Sequence, residues 1–530
     1  MIPFRAPLED IHFTLNDVAE AGRIPGWDAD LAREMGAHFA SFAEAEIAPL
    51  DAVGDREGCR LENGRVRMPT GFAEVYRHYA EQGWPGLTAP ADFGGQGMGA
   101  AMLAVTSEIF SGACHSLQMV TGLVPGAIRT LLNFGTPEQQ AKVIPQLVSG
   151  EWLSTMCLTE PGAGSDLSRI RCRAERSGEV WRITGEKIFI SGGDQDMSEG
   201  ILHLVLARTG GEGTRGLSLF LCPSHRTDGT RNAVTVTRIE EKMGLHASPT
   251  CGLTFEGADA EIVGEPGAGL MAMFTMMNHA RLDVALQGVA HAARACNVGR
   301  TYAAERVQGR GPDGAEVTID RHGDVRRMLD EIDSLALGAR GVAHVALVEV
   351  EAGESALADL LTPLAKLIGA EAGIRAAEMG MQVLGGYGYL SEYRLEQTYR
   401  DARITAIYEG ANGIHAGTLA GRMLRHDGGR CGDAFAGFLG REAAKGNAES
   451  VAHCRDLWLA ARDRVLAAKD PGPIAHDFAK LTAEAMLAAV WARIGRAADR
   501  HPDPERIARL AREAARRAPI LARASAELIG

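Results

Sequence analysis

The chain has 530 residues, 46% of them apolar and 23% charged, with a formal net charge of −13. That length exceeds what one simple core organises, so roughly two to four structural units of ordinary globular composition are expected. The acidic balance argues against nucleic acid as the main partner, because phosphate binding needs concentrated positive charge. No window reaches the ~18 uninterrupted apolar residues of a membrane span, and Met1 to Asp10 lack the basic start and apolar run of a signal peptide. Nine cysteines are scattered singly with no Cys-x-x-Cys pair, so neither a disulfide framework nor a metal site is expected. They read as reduced, structural thiols, and the expected location is cytoplasmic.

Taken in chain order, the pattern is first helical. From about Asp28 to Gly150, Leu31, Met35, Phe39 and Phe42 recur at steps of three and four. Thr136-Pro137-Glu138-Gln139-Gln140 reads as an N-cap followed by proline at the first helical position. From about Trp152 to Pro266 the signal switches to short β-type runs: Val180 to Thr184, Leu202 to Leu206, Leu217 to Leu221 and Val234 to Thr237. Such spacing predicts a small antiparallel barrel or sandwich. Helices return with Met271 to Arg306, Val325 to Glu351 and Leu360 to Leu384. Asp427-Gly428-Gly429-Arg430 marks a break, and a further helical block runs from Ala434 to the end. In this last block Arg506 to Arg523 is basic but interleaved with Glu505, Glu513 and Glu527, which suits a solvated helix face better than a polyanion-binding patch. No internal repeat is apparent. The expected fold class is α+β in four parts: an N-terminal helical domain over 1–151, a middle antiparallel β domain over 152–267, a C-terminal helical bundle over 268–426 and a helical extension over 427–530.

Several segments carry residue types suited to chemistry. In Met156-Cys157-Leu158-Thr159-Glu160-Pro161-Gly162-Ala163-Gly164-Ser165-Asp166, two glycines allow close backbone approach and Thr159 and Ser165 supply hydroxyls. That suits a polar cofactor edge or a phosphate, and equally a Pro-Gly turn between two elements. In Lys187-Ile188-Phe189-Ile190-Ser191-Gly192-Gly193, strand alternation would put Phe189 and Ser191 on one face. An aromatic plane beside a hydroxyl could hold a planar heterocycle, or it could be a core phenylalanine at a strand end. Met381 to Tyr389 stops a helix with Gly385-Gly386 and leaves backbone amides in the loop beyond. Finally, Ile404-Thr405-Ala406-Ile407-Tyr408-Glu409-Gly410 places one acid after an apolar stretch. By itself, Glu409 is either a solvated loop residue or a catalytic acid–base group.

Together these segments resemble the acyl-CoA dehydrogenase family. Thr-Glu-Pro-Gly-Ala-Gly-Ser-Asp, Lys-Ile-Phe-Ile-Ser-Gly-Gly, Gln-Val-Leu-Gly-Gly-Tyr-Gly-Tyr, Arg-Asp-Ala-Arg-Ile and Ile-Tyr-Glu-Gly occur in that family's order and spacing. Gly244 to Thr250, leading to Gly264 to Leu270, is similar to the end of its β domain, so the likeness spans about residues 85 to 425. The resemblance implies the helical, β and helical-bundle layout, FAD as cofactor and an acyl-CoA thioester as substrate. It implies Glu409 as the catalytic base that takes the α-proton, with its backbone among the donors to the thioester oxygen. It implies Thr159, Ser165, Phe189 and Ser191 lining the flavin, with Phe189 in place of the family's common tryptophan. Arg306, Gln382, Gly385 and Gly386 would contact the pyrophosphate and adenosine end, and Ser165, Arg281 and Gly410 the substrate. The chain departs from the family pattern at Val307-Gln308-Gly309-Arg310, where Phe-Gly is common three residues after the arginine, and at Ala411 and Gly413, where many relatives carry Thr and Gln.

The start, Pro7 to Leu15, and the block after about 430 resemble the longer-polypeptide subfamily that contains 3-methylmercaptopropionyl-CoA dehydrogenase and broad-range bacterial enzymes. This implies dehydrogenation of 3-methylmercaptopropionyl-CoA or of a range of fatty acyl-CoAs to the 2-enoyl-CoA. It also implies an electron-transferring flavoprotein as acceptor and a homodimer or homotetramer, with the extension covering a surface that shorter members bury between subunits. Two alternatives stay open: an acyl-CoA oxidase using oxygen, and a flavin-containing DNA-binding damage-response relative, which the acidic total opposes. A nitroalkane-type oxidase would carry Asp at the base position rather than Glu409.

Overall fold

The computed structural model describes residues 2–178, 180–353, 355–446 and 448–529. Helices α1 (Ala29–Phe42) and α2 (Pro137–Val148) precede a run of strands: β1 (Trp152–Cys157), β2 (Arg173–Ser177), β3 (Val180–Ser191), β4 (Gly200–Arg208), β5 (Leu217–Pro223), β6 (Val234–Ile239) and β7 (Thr250–Val263). Long helices follow: α3 (Gly269–Glu305), α4 (Gly323–Ala352), α5 (Ser355–Leu384), α6 (Asn412–Ala420), α7 (Ala475–Ala497) and α8 (Pro504–Leu528). Backbone contacts group the chain into two compact units. One comprises Met1–Glu44, Ala100–Gly112 and Arg281–Gly530, and the other Ala45–Gly99 and Ala113–Ala280. In this grouping Met1–Glu44 and Ala100–Gly112 go with the C-terminal helices, giving a helical unit, and the second unit holds the strands.

In the β unit, the strands form one seven-stranded sheet in the order β1-β4-β2-β3-β7-β5, with β6 on β7 and β5 returning to β4. The expected sheet is antiparallel; here β1 runs parallel to β4 from Trp152↔Gly200 to Cys157↔Val205. The reason is the crossover: β2 and β3 lie between them in sequence, so the chain re-enters beside β1 in the same direction. β4 is buried along almost its whole length, which is why it reads as a continuous apolar run rather than an alternating one. The start of α2 is the N-cap and proline that the sequence predicts, and the cap is a full capping box, with Thr136 and Gln139 exchanging bonds. Gln139 Nε2 also donates to Ile262 O at 2.8 Å, fixing that helix start to β7.

In the helical unit, α1 departs from its predicted stripe: Phe39 and Phe42 are buried but Leu31 is exposed, and Ala32, Gly36 and Ala40 fill the inner face. Small residues serve close packing there, because a side chain at Gly36 would run into Val105 and His12. The same device sets the crossing of α3 and α5. A Cβ at Gly288 would overlap the Gly369 carbonyl, one at Gly369 the Ala285 carbonyl, and one at Gly373 the Gly288 carbonyl. The two backbones therefore touch directly.

Ion pairs join the pieces of this unit. Arg506 of α8 forks onto Asp10 at 2.9 Å through two nitrogens and onto Asp333 of α4 at 2.6 and 2.8 Å. The fully buried Arg340 holds Glu108 at 2.7 and 2.9 Å. Burial alone would raise the Asp10 carboxyl, but His501, Arg506 and Arg340 outweigh it and hold it well below the usual range. Arg506 is thus no member of a solvated face; its acids come from distant segments, unlike Arg516 and Arg517, which pair with Glu513 on their own helix. In the extension, α7 packs on α6 and α4.

The crossing makes a prediction. Gly288→Ala should destabilise the protein by about 2 kcal/mol, the cost of forcing backbones apart. Gly299→Ala in the same helix, with only Leu329 Cδ2 at 3.5 Å, should be neutral or stabilising by about 0.5 kcal/mol. Chemical denaturation of both variants checks this.

Candidate active site

In the β unit, β1 leads into the Thr159–Ser165 loop, and one buried ion pair fixes it. Lys187 of β3, fully buried, donates from Nζ to Leu158 O and to Glu160 Oε1, each at 2.9 Å. Glu160 also accepts from the backbone N–H groups of Arg171 at 2.7 Å and Cys172 at 3.0 Å. A buried charge pair is tolerable when its remaining hydrogen-bonding capacity is used, as here. Ile188 N donates to Thr159 O at 2.9 Å, so the loop and β3 lie side by side. Neither Gly162 nor Gly164 has an atom within 4 Å of where a side chain would stand, which leaves that backbone open to approach.

Phe189 is exposed and Ser191 half-buried while Ile190 between them is buried, but not by the simple alternation that the sequence suggests. The pairing of β3 with β7 slips between Lys187 and Ile190. Phe189 sits there at φ +60°, a left-handed conformation rare for an aromatic residue, with 59% of its surface exposed. The result is a bare ring at a strained position, with the half-buried Thr159 and Ser191 and the exposed Ser165 in the same unit.

In the helical unit, the 3-10 turn Ile404–Ala406 ends just before Glu409, and α6 starts at Asn412. Glu409 has φ +53° and Gly410 φ +91°. Glycine adopts such a conformation freely and glutamate does not, so Glu409 is held by its surroundings. Arg281 Nε donates to Glu409 O at 3.3 Å. Lys366 Nζ donates to Gly410 O at 2.8 Å and to Asn412 Oδ1 at 3.2 Å. Arg281 precedes Ala285 by one helical turn, and Lys366 precedes Gly369 by about one turn, so the close crossing of α3 and α5 delivers both cations to one loop.

The residue is only partly covered, yet its carboxyl is desolvated. Burial is the largest influence and pushes Glu409 up to about 7, with Asp283 adding and Arg281 and Lys366 opposing. Burial likewise lowers Lys366 to about 8, opposed by Glu409. Lys366 and Asp283 are site residues that the sequence reading lacks.

A second group stands at the end of α5. Gly385 has φ +60°, ending the helix as a C-cap. Nothing lies within 4 Å of a side chain built at Gly385 or Gly386, and Gln382 is exposed. Arg306 lies over the Tyr387 ring at 5.7 Å, and Tyr393 packs edge to face on both Tyr387 and Tyr302.

Three family models match the chain: acyl-CoA dehydrogenase N-terminal domain over residues 30–151, middle domain over 155–258 and C-terminal domain over 267–424. It is 38% identical to 3-methylmercaptopropionyl-CoA dehydrogenase of Ruegeria pomeroyi, covering 89% of this chain and 86% of that one. It is 34% identical to a broad-specificity linear acyl-CoA dehydrogenase of Mycobacterium tuberculosis, covering 81% and 76%. Among solved structures, Caenorhabditis elegans ACDH-11 in complex with C11-CoA superposes with a TM-score of 0.81 at 21% identity, over 97% of this chain and 91% of the other. That likeness shows the fold, extension included.

The raised carboxyl makes a prediction whose sign is fixed by its direction. A carboxyl at about 7 in the folded chain and at its ordinary value unfolded holds its proton longer when folded, so folding loses stability as pH rises between them. Glu409→Gln should therefore gain stability over the parent from pH 4.5 to 8, on the order of 3 kcal/mol. Denaturant melts of both proteins across that range measure it; a constant difference would contradict the burial of this carboxyl.

Proposed function

The chain belongs to the acyl-CoA dehydrogenase family, and on that premise we propose that it converts a linear acyl-CoA to the 2-enoyl-CoA with Glu409 as catalytic base. The single observation that carries this reading is the Glu409–Gly410 turn, a glutamate held at φ +53° between Arg281 and Lys366, where burial pushes its carboxyl up. A thioester α-hydrogen is a weak acid, and a base that has left water takes it better than a solvated carboxylate would. Above about pH 7 Glu409 is ionised and ready, while Arg281 and Lys366 keep its pKa from rising further. Negative charge developing on the thioester oxygen needs preorganised donors, and the Glu409 backbone N–H is one candidate.

The family is FAD-dependent, and the residues present fit that group. In the β unit, the bare Phe189 ring with the Thr159, Ser165 and Ser191 hydroxyls suits a flavin ring and its polar edge. In the helical unit, Arg306 and the open Gly385–Gly386 backbone suit a pyrophosphate, with Gln382 nearby in the chain. FAD, when bound, would supply the acceptor for the β-hydrogen as hydride. Arg281, Ser165 and Gly410 are assigned to the thioester.

For the substrate, the relatives support 3-methylmercaptopropionyl-CoA or a range of linear fatty acyl-CoAs. An electron-transferring flavoprotein is the proposed acceptor and a homo-oligomer the proposed assembly. Among the described residues no helix is long and apolar enough to cross a membrane. The cysteines are free, which suits the reducing cytoplasm.

Anaerobic titration of the yellow protein tests both levels. 3-Methylmercaptopropionyl-CoA and straight-chain acyl-CoAs should bleach the flavin, and branched ones should do so more slowly. Glu409→Gln should slow bleaching by about a thousandfold or more while retaining flavin. Near-normal bleaching by that variant would remove Glu409 from its role, and a preference for branched thioesters would overturn the substrate reading.

A further inference from the structure

We infer that Lys366 is the positioning residue of this reaction: through Gly410 O and Asn412 Oδ1 its buried ammonium holds the Glu409–Gly410 turn in the left-handed backbone that presents the base. The inference rests on the reading of Glu409 as that base. It begins with an oddity of burial. Lys366 is a fully buried lysine in the apolar stretch Leu364-Ala365-Lys366-Leu367-Ile368 of α5, where a charge is costly unless several partners meet it. Its ammonium donates to the carbonyl of the residue immediately after the base, at 2.8 Å, and to the side chain two residues beyond that, at 3.2 Å. Asn412 in turn donates from Nδ2 to Glu371 Oε1 at 3.3 Å, one turn further along α5. The lysine, the loop and the first residue of α6 are thus fastened at both edges of the turn.

That fastening has a reason in backbone strain. A glutamate at φ +53° is disfavoured, and a relaxed loop would turn its carboxyl elsewhere. Charge-assisted bonds from a rigid helix oppose such relaxation more strongly than neutral ones. Lys366 also acts on the base as a cation. The other ionisable groups facing Glu409 are Arg281 and Asp283 of α3, with Tyr408 and His415 beside the loop; Glu371 faces Lys366. Burial keeps Tyr408 protonated and, with Lys366 and Arg281, lowers His415 to about 3, so both are neutral near pH 7. With Asp283 raising the carboxyl, Arg281 and Lys366 are the groups that lower it.

The test is the pH profile of flavin bleaching by an acyl-CoA that bleaches the parent holoenzyme, measured by stopped flow from pH 6 to 9. Lys366→Gln keeps a donor for Gly410 O but loses the charge. Its midpoint should move up by about one pH unit, and its rate below the midpoint should fall roughly 10- to 100-fold, with acyl-CoA affinity little changed. Lys366→Arg should restore most of the midpoint. A lysine that merely packs α5 would leave the midpoint alone, so a flavin-loaded Lys366→Gln with the parental midpoint and rate overturns the inference. If that variant does not fold, Asn412→Ala decides: loss of one anchor should slow bleaching about tenfold, and an unchanged rate overturns the inference. Glu409→Gln, run alongside, separates the two readings, because activity retained there removes the base itself whatever Lys366 does.

Discussion

The chemistry of the helical unit depends on one electrostatic imbalance: the carboxyl of Glu409 loses more by leaving water than Arg281 and Lys366 return to it. Were the cations stronger or closer, the carboxyl would fall back to an ordinary value and become a poor base. Were they absent, it would stay protonated over most of the working range. A carboxyl at about 7 is the product of both, and that product is set by where two helices cross.

The crossing itself is a matter of missing side chains. Ala285, Gly288, Gly369 and Gly373 let α3 and α5 meet backbone to backbone, and Arg281 and Lys366 stand about one turn before the contact on their respective helices. The extension enters the same arrangement through α7, which packs on α6, the helix that continues from the Glu409–Gly410 turn. Arg506, clasping Asp10 and Asp333, joins the last helix to the first residues of the chain and to α4. Function in this unit thus rests on packing that is far from the reacting atoms in sequence.

Much of this was legible beforehand, and what was not has physical causes. Glu409 and Arg281 lie in ordered motifs, and Gly385 announces a helix end by its chemistry. Lys366 is invisible in sequence because a lysine among leucines and alanines reads as a helix with one solvated charge, and its partner carbonyl lies 44 residues later. Strict alternation puts Phe189 and Ser191 on one face, but the bulge beside them breaks the period, leaving Phe189 exposed and Ser191 half-buried. The parallel pairing of β1 with β4 leaves no local mark, since a strand's direction relative to a partner some 48 residues away is not encoded in its own residue pattern. Arg506 looked like one of several surface arginines because Asp10 and Asp333 are 496 and 173 residues away.

The most direct measurement of the central claim follows the proton alone. The holoenzyme, reduced beforehand so that no net oxidation occurs, is incubated in heavy water with a saturated linear acyl-CoA, and mass spectrometry counts deuterium at the α-carbon. The account predicts steady α-exchange by the parent protein, increasing as pH rises through about 7, and none above background by Glu409→Gln. Equal exchange by both proteins would contradict it.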